Sequence, residues 1–321
     1  MTGGDAAGLS GIEASVDDLI GLRFRARRLE LGIGRRARHS MSGGHGSRFR
    51  GRGMEFAESR IYQPGDDVRS IDWRVTARTG RPHTKLFQEE RERPVILLVD
   101  LGASMFFGTR TAYKSVVAAE TAALIAWAAM GGGDRVGALV AGRSGHMELK
   151  PVAGRRGVLR VLHAIAALSR PAADDEERRI GLRDSLLRAR HVARPGSLLV
   201  IISDFYGLDE DAAGHLSRMR QHNDMLACWI HDALEREPPP PGRYSVSDGW
   251  QTATLDTLSR RARSRYAESF AAEAEALRTT LGRLAIPLLP IATGDDVAEA
   301  LRRGAPRVDA DPNSGAGADA G

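Results

Sequence analysis

From residue 94 onward the chain alternates short apolar runs with longer segments whose apolar residues recur every three or four positions. Val95 to Val99 is a continuous apolar run ending at Asp100, and Arg135 to Ala141 is a second. Ser197 to Ile202 ends at Ser203-Asp204, Met225 to Ile230 ends at His231-Asp232, and Ile286 to Ile291 closes the series. Short apolar runs without polar alternation suit strands covered on both faces. Between them, Thr111 to Met130, Val158 to Leu168, Leu182 to Val192 and Asp295 to Arg303 carry helical spacing; Gly131-Gly132-Gly133 stops the first. Strands alternating with helices in this way predict an α/β fold over residues 94–305: a doubly wound, mainly parallel sheet with helices on both faces. The interval Glu235 to Asp256 breaks the alternation. Its proline run, Pro238 to Pro241, and two short segments around Tyr244 and Thr252 to Leu255 predict a stiff loop and a β-hairpin insertion.

The N-terminal part has a different texture. Residues 1–14 show no periodicity and are expected to be disordered. Val16 to Leu31 reads as an amphipathic helix with Leu19, Ile20, Leu22, Phe24, Leu29 and Leu31 on its stripe, stopped by Gly32 and Gly34. Gly43 to Gly53 is a Gly/Arg-rich loop, Met54 to Tyr62 a short strand, Pro64-Gly65 a turn, and Pro82 to Arg91 a second strand. The predicted organisation is a disordered start (1–14), an N-terminal extension (15–93), the α/β domain (94–305), and a small-residue tail (306–321) expected to be disordered.

Composition narrows the classes. The only cysteine, Cys228, lies in an apolar run, which excludes an internal disulfide and fits a reducing compartment. Met1 to Ser10 has neither the basic start nor the apolar run of a secretory leader. The most apolar helical stretch, Ala118 to Met130, is too short to span a bilayer and carries Glu120. A cytoplasmic location without membrane partner is therefore expected. The formal charge of +5 is mostly arginine; the lysines are Lys85, Lys114 and Lys150. Arg23, Arg25, Arg27, Arg28, Arg35, Arg36, Arg38, Arg48, Arg50 and Arg52 crowd one stretch, and a nucleic-acid-binding protein using it is the alternative functional reading. Only Phe24 and Phe49 interleave those arginines, so stacking on bases has little support. The nine histidines show no i, i+4 pairing suited to zinc. Gly131-Gly132-Gly133-Asp134 follows a helix and precedes a strand, the wrong order for a phosphate cradle.

Two segments together carry a resemblance. One reads Gly51-Arg52-Gly53-Met54-Glu55-Phe56, then Arg60-Ile61-Tyr62-Gln63-Pro64-Gly65-Asp66-Asp67-Val68-Arg69-Ser70-Ile71-Asp72-Trp73; the other is Val95-Ile96-Leu97-Leu98-Val99-Asp100 with Ser104-Met105. This resembles the domain of unknown function 58 family, over nearly all of residues 20–305. The resemblance implies a von Willebrand factor A-like second half and partnership with a MoxR-type AAA+ ATPase, as adaptor or co-chaperone. Many members carry N-terminal membrane helices; this chain resembles the short soluble subgroup.

The resemblance also implies a cation, often Mg²⁺, beyond the carboxyl ends of the strands. The matching positions are Asp100, Gly102, Ser104 and Asp204. Gly102 lacks the expected hydroxyl, and no threonine occurs between Thr121 and Thr252, leaving Ser169 and Ser185 as substitutes. Asp100, Ser104 and Asp204 thus form a degenerate site with two readings. It holds Mg²⁺, or its aspartates accept backbone hydrogen bonds and pair with an arginine such as Arg110. In the first motif, Asp66, Asp67 and Asp72 lie near Arg69, Arg74 and Arg78. No nucleophile stands beside a plausible base, so a non-enzyme is expected. An Asp–Arg network that locks this loop or docks a partner fits better, with Trp73 as apolar anchor. The candidate partner-binding residues are Tyr62, Asp66, Asp67, Arg69, Asp72 and Trp73.

Overall fold

The structure, a computed structural model, describes residues 11–29, 54–64, 66–89, 92–170, 181–247 and 252–304. Of the start expected to be disordered (1–14), residues 11–14 are described and packed, with Ala14 buried and the Gly11 carbonyl accepting the Tyr113 N–H at 2.8 Å; residues 1–10 and 306–321, the Gly43 to Gly53 loop and the arginines from Arg35 to Arg52 lie outside the described residues. The chain divides into two compact units, Gly34–Glu92 and the remainder. The helical N-terminus, grouped with the extension on sequence, packs instead into the α/β unit.

That N-terminus forms two short helices, α1 (Val16–Gly21) and α2 (Arg23–Ala26), in place of the single predicted helix. The smaller unit pairs β1 (Met54–Ile61) antiparallel with β2 (His83–Glu89), and α3 (Trp73–Thr79) lies between them in sequence. The larger unit continues with β3 (Pro94–Leu101), α4 (Lys114–Gly131), β4 (Arg135–Gly142), β5 (Gly145–Ala153), α5 (Gly154–Leu168) and α6 (Leu182–Val192). Next come β6 (Leu198–Ser203), α7 (Glu210–Arg220), β7 (Asp224–His231) and α8 (Ala233–Arg236). The chain then forms the predicted hairpin, β8 (Arg243–Ser247) with β9 (Thr252–Asp256), and ends with α9 (Arg260–Arg283), β10 (Leu288–Ala292) and α10 (Val297–Gly304).

The six-stranded sheet runs β10-β7-β6-β3-β4-β5, parallel throughout except for the edge strand β5. The predicted α/β architecture, a doubly wound, mainly parallel sheet with helices on both faces, is what the chain has. Each central strand divides its residues between two cores. Val95, Leu97, Val99 and Leu101 of β3 face α4, α5, α10 and the N-terminal helices. Ile96 and Leu98 face the side of α6, α7 and α9. Burying each such side chain contributes about 1.5–3 kcal/mol, and both faces need apolar cover, hence the unbroken apolar runs.

α4 is buried almost all round, because the sheet covers one side and α1, α2, α5 and α10 the others. Its alanines allow those close approaches. The indole N–H of Trp127 donates to the Leu19 carbonyl at 3.0 Å, and Arg25 bridges Glu120 at 2.9 Å and Asp296 at 2.7 Å. These contacts hold the N-terminal helices against α4.

One glycine in the α5–sheet interface admits no side chain. A Cβ at Gly157 would lie 2.1 Å from the Val152 carbonyl oxygen. Gly157→Ala is expected to cost about 1–3 kcal/mol by overpacking. Gly214→Ala, in the middle of α7 with its nearest neighbour 3.9 Å away, should gain about 0.5–1 kcal/mol from helix propensity. Denaturant unfolding of the two variants checks both signs.

Candidate functional site

Parallel strands deliver their carboxyl ends to one edge of a sheet, which is where open α/β folds gather their chemistry. Here β3 ends at Asp100-Leu101, β6 at Ser203 with Asp204 next, and β7 at His231 with Asp232 next. The carboxylate of Asp100 accepts the Gly102 N–H at 3.0 Å and the Ser203 hydroxyl at 2.8 Å. The Ser203 oxygen in turn accepts the Phe205 N–H at 2.9 Å. Asp204 accepts the Tyr206 N–H at 3.0 Å through one oxygen and the Lys114 ammonium at 2.9 Å through the other.

Lys114 opens α4, yet its side chain is only 2% exposed. Its Nζ lies 2.9 Å from Asp204 and 2.5 Å from Glu235. Burial pushes its pKa down, but the charges of Asp204 and Glu235 and their hydrogen bonds outweigh that, holding it above the ordinary lysine value. The other oxygen of Glu235 accepts the Asp232 N–H at 2.8 Å, closing a capping box at α8. Burial pushes the fully buried Asp232 upward. Hydrogen bonds from Thr109, Thr293 and Leu234 outweigh it and leave the carboxyl below its ordinary range. Thr109 and Thr293 hydroxyls both reach Asp232 at 2.6 Å, tying the loop after β3 to the ends of β7 and β10.

The loop after β6 is strained. Phe205 is buried with φ of 58°, a left-handed conformation rare for a bulky residue, and it leaves Tyr206 77% exposed at the same edge. Ser104 sits half-buried in the 3-10 turn Ala103–Met105 and takes no part in the hydrogen bonds just described. Arg110, named on sequence as a partner for the aspartates, is exposed; the pairing cation is Lys114.

In the smaller unit the motif carboxylates mostly bind backbone. Asp66 pairs with Arg60 at 2.8 Å and accepts the Gln63 N–H at 2.9 Å. Asp67 accepts the Arg69 N–H at 2.9 Å. Asp72 caps α3, accepting the Arg74 and Val75 N–H groups at 3.1 and 3.2 Å, with the Ser59 hydroxyl at 3.0 Å on its other oxygen. The Val75 N–H foremost, helped by Ser59, Lys85 and Arg74, lowers its pKa against the effect of burial. Tyr62 is half-buried and donates its backbone N–H to Pro82. The aspartates thus cap turns of their own backbone, and the arginine in the described Asp66 pair is Arg60, which lies outside the expected set of Arg69, Arg74 and Arg78. Trp73, expected as an apolar anchor, is instead 69% exposed, and Val68 beside the same turn is 62% exposed.

Residues 58–276 match the family described as proteins of unknown function, DUF58. The chain belongs to the DUF58 family. It is also 32% identical over 275 residues to uncharacterized proteins of Mycobacterium tuberculosis and Mycobacterium bovis, covering 84% of each chain. Two solved structures give low-identity likenesses in fold. BatB from Bacteroides thetaiotaomicron is 12% identical over 60% of this chain and 98% of its own, with a TM-score of 0.36. A von Willebrand factor type A protein from Catenulispora acidiphila is 12% identical over 70% of this chain and 43% of its own, also with a TM-score of 0.36. Among the described residues of this DUF58 chain, no helix is long and apolar enough to cross a membrane.

The strand-end residues do not fit Mg²⁺. That ion wants about six oxygen ligands in near-octahedral array. Both oxygens of Asp100 and of Asp204 already have hydrogen-bond partners, and an ammonium sits on Asp204. Among the described residues, no group of three or more His, Cys, Asp or Glu is arranged to hold a metal ion.

Of the site residues, Lys114, Thr109, Ser203, Asp232 and Glu235 were not singled out on sequence. The available signals were a lysine opening a long apolar helix, and an Asp-x-x-Glu box after an apolar run.

Burial, and next the charge of Asp204, raise Asp100 to about 6, against hydrogen bonds from Ser203 and Gly102 and the charge of Lys114. A carboxyl raised in the folded state binds its proton more tightly there. Its contribution therefore favours the fold at low pH and is lost as pH rises from about 4 through about 6. Asp100→Asn keeps an acceptor for Gly102 but cannot ionise. Relative to wild type, the variant should gain about 1–3 kcal/mol between pH ~4 and pH ~7. Denaturant unfolding at several pH values measures this; a difference that stays flat with pH contradicts the assignment.

Proposed function

We propose that this DUF58 chain works by recognition rather than catalysis, as a cytoplasmic adaptor for a MoxR-type AAA+ ATPase. The observation that carries the reading is Trp73, 69% exposed at the start of a helix capped from below by Asp72. The carboxylates of Asp66, Asp67 and Asp72 hold this loop's own backbone, so its order exists before any partner arrives. An aromatic side chain held outward on a preorganised loop is what a binding hot spot requires. The strand-end site supports the same reading from the other unit. Its polar groups are mutually satisfied: Lys114 is held by Asp204 and Glu235, the buried Ser203 hydroxyl donates to Asp100 and accepts the Phe205 N–H, and Tyr206 stands exposed at the rim. The identity of the ATPase rests on the family resemblance.

The nucleic-acid alternative draws less support. Of its described arginines, Arg25 is engaged by Glu120 and Asp296, and Arg23 and Arg27 lie over the Phe24 ring.

Purified chain and the MoxR-type ATPase of the same organism should co-elute. Trp73→Ala should weaken that binding by about 2 kcal/mol, roughly 30-fold, and leave the melting temperature unchanged. Asp66→Ala with Asp67→Ala should loosen the loop and weaken binding as well. Binding untouched by all three substitutions rules the loop out as the contact. Binding of the chain to nucleic acid of any sequence, falling steeply as salt is raised, favours the alternative.

A further inference from the structure

We infer that the ammonium of Lys114 is the resident cation of the strand-end site, held by Asp204 and Glu235 in place of a divalent ion. The inference concerns the site's chemistry and does not depend on the identity of any partner. Three aspartates and a glutamate converge from the ends of β3, β6 and β7 and the start of α8. Asp232 is satisfied by two threonine hydroxyls and backbone N–H groups. Asp204 and Glu235 are left with one oxygen each, and both oxygens point at the same nitrogen, at 2.9 and 2.5 Å.

The rest of the cradle agrees. Lys114 is among the largest fully buried side chains of the protein, so its ammonium is held inside by design of the packing. A divalent ion placed on Asp204 would sit within a few ångströms of that buried ammonium, and two cations at such range in a low-dielectric site repel strongly. Gly102 fits this chemistry too. A Cβ there would lie 3.1 Å from the Asp100 carboxylate oxygen that accepts the Gly102 N–H, so the position without the metal-binding hydroxyl is occupied by a backbone donor to that carboxylate. A covalently tethered cation has no dissociation constant. The site is therefore complete in the absence of metal, and whatever docks at this edge does so without bridging a metal ion.

The lysine content makes the test clean, because Lys85, Lys114 and Lys150 are the only amines on side chains. The native chain is treated with an amine-reactive ester, with EDTA or with millimolar Mg²⁺, and modification is read at each lysine by mass spectrometry. Lys114 should react on the order of tenfold or more slower than exposed Lys150, since attack requires the ion pairs to open, and Mg²⁺ should change nothing. The melting temperature of the native chain should likewise ignore Mg²⁺ and Mn²⁺. Lys114→Ala, which vacates the position beside Asp204 and Glu235, should acquire a melting temperature that rises with either ion. A native chain stabilised by Mg²⁺, with Lys114 becoming as reactive as Lys150, overturns the inference. So does a folded Lys114→Ala that ignores divalent ions, because the carboxylates would then not be a cation site. If Lys114→Ala does not fold, labelling and melting of the native chain decide alone.

Discussion

Gathering carboxylates at one edge of a buried sheet creates an electrostatic problem that the rest of this protein is arranged around. Asp100, Asp204 and Glu235 meet where water is largely excluded, and their mutual repulsion there is far stronger than in solvent. The ion pairs of Lys114 answer that repulsion at distances of 2.9 and 2.5 Å. The residual imbalance falls on Asp100, whose pKa rises to about 6. Removing either partner of such a buried pair leaves a charge without compensation, typically at a cost of about 3–5 kcal/mol. The lysine is therefore structural whatever else it does.

The same constraint links the site to the fold. Lys114 can reach Asp204 only because α4 begins there, and α4 is fixed by burial on every side. The N-terminal helices complete that burial through Leu19, Leu22 and Ala26 and through the Trp127–Leu19 hydrogen bond. At the far end of the strands Arg93 performs a similar task, reaching Asp224 at 2.5 Å and the Ser197 carbonyl at 3.2 Å. Charged side chains thus brace both ends of a sheet whose middle is apolar on both faces.

How much of this could be read from residues follows from where the hydrophobic signal is strong. β3, β4, β6 and β7 are covered on both faces, so each is an apolar run with a clear end; β10, at one edge of the sheet, buries only Leu289 and Ile291, yet its residues are apolar enough to be read as a run. β5 is an edge strand, exposed or half-exposed along its length, and its residues Gly145–Ala153 carry no such run. α7 and α9 were not foreseen as helices for a related reason. α9 fully buries only Ala274, Leu277 and Leu281 across 24 residues, so charge hides its period. The predicted helix from Val16 to Leu31 breaks at Leu22, where α1 ends and α2 begins. Asp100 and Asp204 were legible because strand ends are. Lys114 was not, because a lysine at a helix start ordinarily lies in solvent, and only tertiary packing shows that this one points inward. Trp73 was legible only as a large apolar side chain in a charged loop; that it faces outward follows from backbone caps that hold the loop without it.

The central claim is that the strand-end edge carries its own cation. Anomalous diffraction from crystals grown in Mn²⁺ tests it most directly. The expected result is no manganese peak beside Asp100, Ser104 and Asp204, with Lys114 Nζ in hydrogen-bond contact with Asp204 and Glu235. A manganese peak coordinated by those residues, with the lysine swung out of the site, would contradict it.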